Sequence, residues 1–277
     1  MTTINAALSP SRISDFRKCP LKFRFRSIDK LPEPPSLVAL RGTLVHSVLE
    51  HLFDLAPQLR TENSAQELLA PRWEALVKED PSLSELFTTE SEFTTWFESA
   101  RPLITKYFTM ENPRMLEPIA REGFVNTTLP SGIAIRGIID RIDQAPNGDL
   151  RVVDYKTGKS PRPQYQEEAI FQMRFYATAL FHERQQLPLR TQLVYLQDGR
   201  TLTYDPTMED VRTINQEVAS VWGNIRERIA SGNFETKKGP LCNWCSFQEF
   251  CPEYSGTTPE MNPQGAEYLL TVEKITN

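Results

Sequence analysis

Two hydrophobic runs, each ending in an acidic residue and separated by a tight turn, constrain this chain more than anything else in it. Gly137-Ile-Ile-Asp140-Arg-Ile-Asp143 leads into Pro146-Asn147-Gly148-Asp149, and Val152-Val-Asp154-Tyr-Lys156-Thr-Gly158 follows. Asn-Gly between β-branched runs signals a hairpin, so 133–142 and 150–156 are expected to be neighbouring antiparallel strands. Side chains two apart share a face of a strand, which puts Asp154 and Lys156 on one side. With Asn147-Gly148 as a two-residue turn, position 140 lies nearly opposite 155, and Asp140 falls beside Asp154. The apolar pairs before each aspartate mark central strands whose ends enter a site, rather than a wet hairpin held by salt bridges. Adjacent carboxylates repel one another, and burial raises the cost. A divalent cation with a taste for hard oxygen ligands, Mg2+ or Mn2+, offsets it. Such an ion lowers the pKa of a bound water and polarises a phosphoryl oxygen. Lys156 would then orient or deprotonate the attacking water, or offset charge in the transition state.

The rest of the sequence reads as α/β. A helix over 40–55 carries Leu44, Val45, Val48, Leu49, Leu52 and Phe53 as one stripe, with His46 at its edge. Residues 61–115 read as helices broken at Pro71, Pro81, Pro102 and Pro113, acidic on their surface. Strands are expected over 122–129, 189–196 and 202–204, and helices over 166–185 and 208–230. The fold class is therefore a central mixed sheet flanked by helices, with a helical insertion at 56–117. A hydrophobic share of 39% in 277 residues is enough for a real core. The net charge of -5 argues against a protein that coats nucleic acid over its whole surface, but leaves room for a local basic track. One such track runs from Arg12 to Lys30, interleaved with Phe16, Phe23 and Phe25; these rings either stack on bases or pack internally. Arg136, Arg141, Lys159 and Arg162 lie near the hairpin, either to contact DNA phosphates or to balance the acidic site. Thr157-Gly-Lys-Ser160 resembles the end of a phosphate-binding loop, but Val153 stands where that loop needs glycine, which excludes an ATPase on this motif.

No run of ~18 apolar residues and no secretory leader is visible, so no membrane partner and a reducing, cytoplasmic setting are expected. The four cysteines are then poor candidates for disulfides. Cys242, Cys245 and Cys251 form a C-x2-C-x5-C run, and Cys19 stands far upstream. Three thiolates on a short loop plus one distant partner can hold a tetrahedral Zn2+ or an iron–sulfur cluster. The one-plus-three spacing suits a cubane better than the paired spacing common at zinc. Trp244, Phe247 and Phe250 are expected to shield it.

Five motifs in order, Gly42-Thr-Leu-Val-His46, Gly137-Ile-Ile-Asp140-Arg, Val153-Asp154-Tyr-Lys156-Thr-Gly158, Gln172-Met-Arg-Phe-Tyr176 and the four cysteines, resemble the RecB-like branch of the PD-(D/E)XK nucleases. That branch includes the AddB nuclease domain and CRISPR-associated single-strand nucleases. The resemblance implies a single nuclease domain over 1–277, with an iron–sulfur module from 9–30 plus 236–254 holding a [4Fe-4S] cluster that staples the chain ends. It implies His46, Asp140, Asp154 and the Tyr155 carbonyl as metal ligands and Lys156 as the catalytic lysine. Gln172 and Tyr176 would line the DNA groove beside the metal, and Glu122 is a candidate supporting residue. His51 and His182 match no motif and are expected to be structural. The implied activity is hydrolysis of DNA phosphodiesters, on single strands or ends. Any unwinding partner, a helicase or repair subunit, would be a separate chain. The competing class is a non-catalytic DNA-binding or scaffold subunit, against which the intact Asp140, Asp154 and Lys156 argue.

Overall fold

The computed structural model describes residues 6–273. Five strands form one mixed sheet in chain order: β1 (Pro118–Thr128), β2 (Ala134–Gln144), β3 (Leu150–Lys156), β4 (Arg190–Tyr195) and β5 (Arg200–Tyr204). All neighbours are antiparallel except β3 and β4, which are parallel and joined by the crossover helix α7 (Glu167–Arg184). The alternation along β3 explains why both faces are covered. Leu150 and Val152 point into one core, while Val153 and Tyr155 point into the other.

The first core is closed by α7, by α8 (Met208–Ser231) and by both chain ends. The N-terminal pair α1 (Pro10–Lys18) and α2 (Pro20–Arg24) buries Ile13, Phe16, Leu21 and Phe23 there. The second core lies under α3 (Leu37–Leu52), α4 (Glu62–Glu79), α5 (Glu90–Glu98) and α6 (Arg101–Met110). The block expected as an insertion therefore supplies the cover of one sheet face. Pro81 and Pro102 open new helical segments, as their missing N–H allows. Pro71 instead lies inside α4, which continues through it.

The turn between β2 and β3 differs by one residue from the expected one. Arg141 pairs with Val153 and Gln144 with Leu150. The loop is closed by Ala145 N–H to the Asp149 carbonyl and Gly148 N–H to the Ala145 carbonyl, with Gly148 at φ 91°. Asn147 accepts from the Asp149 N–H, which favours this wider turn over a two-residue one. Continued one step past Arg141–Val153, that register sets Asp140 against Asp154 rather than Tyr155. No helix among the described residues is long and apolar enough to cross a membrane.

Candidate active site

A coincident break in two strands builds the site. In β1, Ala120 and Val125 pack into the same core although they are five apart; in β2, Ile139 and Ile142 do so at a spacing of three. Regular alternation forbids both. The skip falls at Glu122, whose φ of 43° is left-handed, and at Asp140, which the β1–β2 register puts opposite it. A left-handed glutamate inside a strand costs ~1–2 kcal/mol. It turns the carboxylate toward Asp140 and toward His46 on α3. Ligand atoms of His46, Glu122 and Asp140 all lie within 4.8 Å of one another.

The second half of the site comes from β3. Lys156 Nζ is 2.5 Å from Asp154 Oδ2, and Gln172 on α7 donates to Asp154 Oδ1 at 3.0 Å. The two halves are joined through the backbone, because Tyr155 N–H donates to Asp140 Oδ2 at 2.5 Å. Helices on opposite faces of the sheet thus deliver His46 and Gln172 to one place. Glycines permit the approach: a Cβ on Gly42 would lie 3.2 Å from Thr157 Oγ1, and one on Gly137 would lie 2.6 Å from the Tyr176 ring.

The electrostatics are those of an uncompensated anionic pocket. Burial, then the charge of Asp140, pushes Glu122 up to about 7. Burial also raises Asp154 above the usual carboxylate range, against the pull of Lys156. Burial alone would lower His46, but its bond to Asp140 at 3.4 Å and the surrounding carboxylates outweigh that and raise it. Three carboxylates face one ammonium and one imidazole, all on hard or borderline donor atoms. That donor set fits a divalent cation of the Mg2+ or Mn2+ kind.

These groups sit in one α/β frame over nearly the whole chain, and the comparisons with known proteins decide the family. The PD-(D/E)XK nuclease superfamily model matches residues 7–252. The chain belongs to the PD-(D/E)XK nuclease superfamily. Nucleases of this superfamily use divalent metals, in keeping with the donor set above. Its sequence is similar to the Gene 69 protein of Mycobacterium phage D29, 25% identical over 92% of this chain and 100% of that protein. The Gene 69 protein of Mycobacterium phage L5 is 24% identical over 89% of this chain and 96% of its own. The crystal structure of an exonuclease candidate from Eubacterium rectale has the same fold, with a TM-score of 0.55 at 14% identity, over 86% of each chain.

Within this nuclease fold, several expected contacts are placed elsewhere. Arg141 is 1% exposed and cannot reach DNA; it pairs with Glu111 and Asp143 and donates to the Tyr155 and Tyr107 hydroxyls. Tyr176 is 7% exposed: its ring backs onto Gly137 and its hydroxyl accepts from Gln172, so it steadies Gln172 instead of lining a groove. The basic N-terminal track is mostly spent on local pairs, Arg17–Glu217, Lys18–Glu168, Lys22–Asp15, Arg24–Asp29 and Arg26–Glu33. Phe16, Phe23 and Phe25 are buried in the core and are not base-stacking groups. Arg136, by contrast, is half-buried on β2. His51 and His182 make local hydrogen bonds to the Ser47 carbonyl and the Asn215 amide. Asp154 is held by Lys156 and Gln172 and lies outside the tight donor trio, whereas Glu122 lies inside it.

Cys19 and Cys245 lie near Cys251 at the joined chain ends, but among the described residues no three cysteines bring their sulfurs within 4.8 Å of one another. Leu21 N–H donates to the Glu235 carbonyl and Lys237 to the Arg17 carbonyl, so the segment before Cys242 runs along α1 and α2. Burial, then the nearby Cys19 and Cys245, raises the Cys251 thiol, and Gly239 N–H points at Cys242 Sγ at 3.2 Å. Phe247 is buried against Phe25, with ring centroids 5.4 Å apart. Trp244 is 77% exposed and shields nothing.

Proposed function

We propose that the chain is a Mg2+- or Mn2+-dependent deoxyribonuclease acting as an exonuclease on single-stranded DNA or DNA ends. The observation that carries the reading is the meeting of the His46–Glu122–Asp140 trio, from α3 and the middles of β1 and β2, with the Asp154–Lys156 pair at the end of β3. Glu122 would join His46, Asp140, Asp154 and the Tyr155 carbonyl in holding the cation. When bound, such an ion supplies a water of lowered pKa and polarises the scissile phosphoryl group. Lys156, held 2.5 Å from Asp154, positions that water and offsets the charge that grows on phosphate. Asp140 is fixed by the Tyr155 N–H, and Gln172 fixes Asp154, so the donors are set before substrate arrives.

The cysteine constellation fits a metal group at the junction of the chain ends: four thiols and a backbone donor to sulfur, beside a buried aromatic wall. A [4Fe-4S] cluster is the reading that the one-plus-three spacing supports, with Zn2+ as the alternative. Its role is to crosslink a loop spanning most of the chain. Iron, sulfide and zinc assays on anaerobically purified protein, with a visible spectrum, separate the two.

Cleavage of end-labelled single strands in Mn2+ tests the activity, with Asp154→Ala and Lys156→Ala as controls. Wild-type cleavage no faster than either variant overturns the nuclease reading and leaves a DNA-binding subunit. Equal cleavage of circular and linear single strands overturns the exonuclease assignment alone.

A further inference from the structure

Beside the metal trio the sheet leaves an apolar pair uncovered. Phe124 on β1 and Ile138 on β2 are register partners, 57% and 51% exposed. Their neighbours Val125 and Ile139 point into the first core, and Gly137 faces Tyr176 of α7, so Phe124 and Ile138 point away from α7. On that outer face α3 reaches only as far as Arg121, which donates to the Glu50 carbonyl and pairs with Asp54. Two residues along in one direction stand Glu122 and Asp140, between the Arg121–Arg141 and Gly123–Ile139 pairs, and two along in the other the Asn126–Arg136 pair. An aromatic and a branched aliphatic side chain therefore stand between the metal donors and a cation, two residues or ~7 Å along the strands from each.

We propose that Phe124 and Ile138 form a stacking platform for an unpaired base next to the scissile phosphate. This rests on the nuclease reading of the same site and names its substrate form. A phosphate at the metal donors puts its own base or the next within reach of Phe124, whose ring offers a face that every base can stack on. The following phosphate falls to Arg136. A base paired in a duplex has its faces covered by its neighbours, so the platform selects strands whose end is frayed or single. Charge speaks against a second copy of the chain as the occupant. The pair borders an acidic pocket in a chain of net charge -5, and self-association would bring two such pockets together.

The test measures fluorescence anisotropy of labelled oligonucleotides in the Lys156→Ala background, with Mn2+ present. Phe124→Ala with Ile138→Ala is expected to weaken single-strand binding about tenfold, within the range of one lost stacking contact, and to change blunt-duplex binding less than twofold. Phe124→Trp should retain single-strand affinity. A strand with one abasic residue, moved along the sequence, should bind the parent with the weakened affinity at one position. It should bind the alanine pair no worse there than the intact strand does. Single-strand affinity unchanged in the alanine pair overturns the proposal, as do equal losses on both substrates or a dimer that the substitutions dissolve. If the alanine pair unfolds, the abasic scan on the parent alone decides, and a flat profile is refuting. Failure of the nuclease reading shows separately, as absent Mn2+-dependent cleavage by the wild-type chain.

Discussion

Replacing Glu122 by glycine should make the metal-free protein more stable and the metal-bound protein weaker. The left-handed backbone at φ 43° costs ~1–2 kcal/mol with a side chain and nothing with glycine. Glycine returns roughly 0.5–1 kcal/mol of that through its freer unfolded chain, leaving about 0.5–1 kcal/mol in favour of the variant. Charge adds to it. Burial and Asp140 move the Glu122 carboxyl from its ordinary 4.5 to about 7. In full this corresponds to ~3 kcal/mol; partial exposure screens it to roughly 1–1.5 kcal/mol. A raised carboxyl holds its proton more tightly in the folded state. The wild type therefore carries no penalty below about pH 4.5 and loses stability as pH rises to about 7. Urea unfolding in EDTA at pH 8 should show the variant ahead by about 1.5–2.5 kcal/mol, with the gap closing toward the backbone share at pH 4.5. Adding Mn2+ should reverse the order, because a ligand bound only to the native state stabilises it in proportion to its affinity. A variant less stable than wild type in EDTA, or one that gains as much from Mn2+, refutes the assignment of Glu122 as a strained metal donor.

Lys156→Ala should lower cleavage by about 10²–10³-fold, the scale of one lost transition-state donor, while Mn2+ binding by calorimetry is retained. Arg141→Leu leaves Glu111 and Asp143 with Arg151 in place of two cations and should destabilise the fold by ~2–3 kcal/mol, below the cost of a wholly unpaired buried charge; the salt dependence of DNA binding should stay unchanged, whereas Arg136→Ala should reduce that slope by about one. Cys19→Ser should abolish bound iron and its visible absorption together with much of the thermal stability; unchanged metal content in the variant counts against a four-cysteine site.

The strand pair and its cargo were legible because alternation and turn chemistry are local. Asp140, Asp154 and Lys156 could be set side by side from spacing alone, and a one-residue error in the turn changed only which residue faced which. Glu122 is harder to read, although the sequence carries a signal for it. Reflecting β1 and β2 about Ser131, the middle of the Leu129–Ile133 turn, puts position 122 opposite 140. The alternation skip that turns its side chain inward is a backbone event with no residue signature, since nothing marks glutamate as left-handed. Arg141 illustrates a different limit. An arginine next to a candidate metal-binding aspartate looks like a phosphate contact, and only the distant Glu111 and Tyr107, supplied by the helical block, show it to be a buried strut. The phenylalanines of the N-terminal segment likewise take their role from the C-terminal residues that close over them.

That closure bears on the chemistry through a short run of contacts. Cys19 directly follows α1, whose Ser14 and Lys18 both donate to Glu168 in the first turn of α7. Arg17 lies over the Phe171 ring at 4.3 Å and pairs with Glu217 on α8. One turn beyond Glu168 is Gln172, the residue that holds Asp154. Each exposed pair on this path is worth no more than ~1 kcal/mol, so no single one positions the site. Together they fix where α7 begins, and α7 has no side-chain N-cap of its own to do so. A group that locked Cys19 to Cys242, Cys245 and Cys251 would thus hold the end of α1 against the start of the helix that aims Gln172. With such a group bound, the cysteines, remote from the carboxylates in sequence, would act on them through a helix terminus rather than through charge.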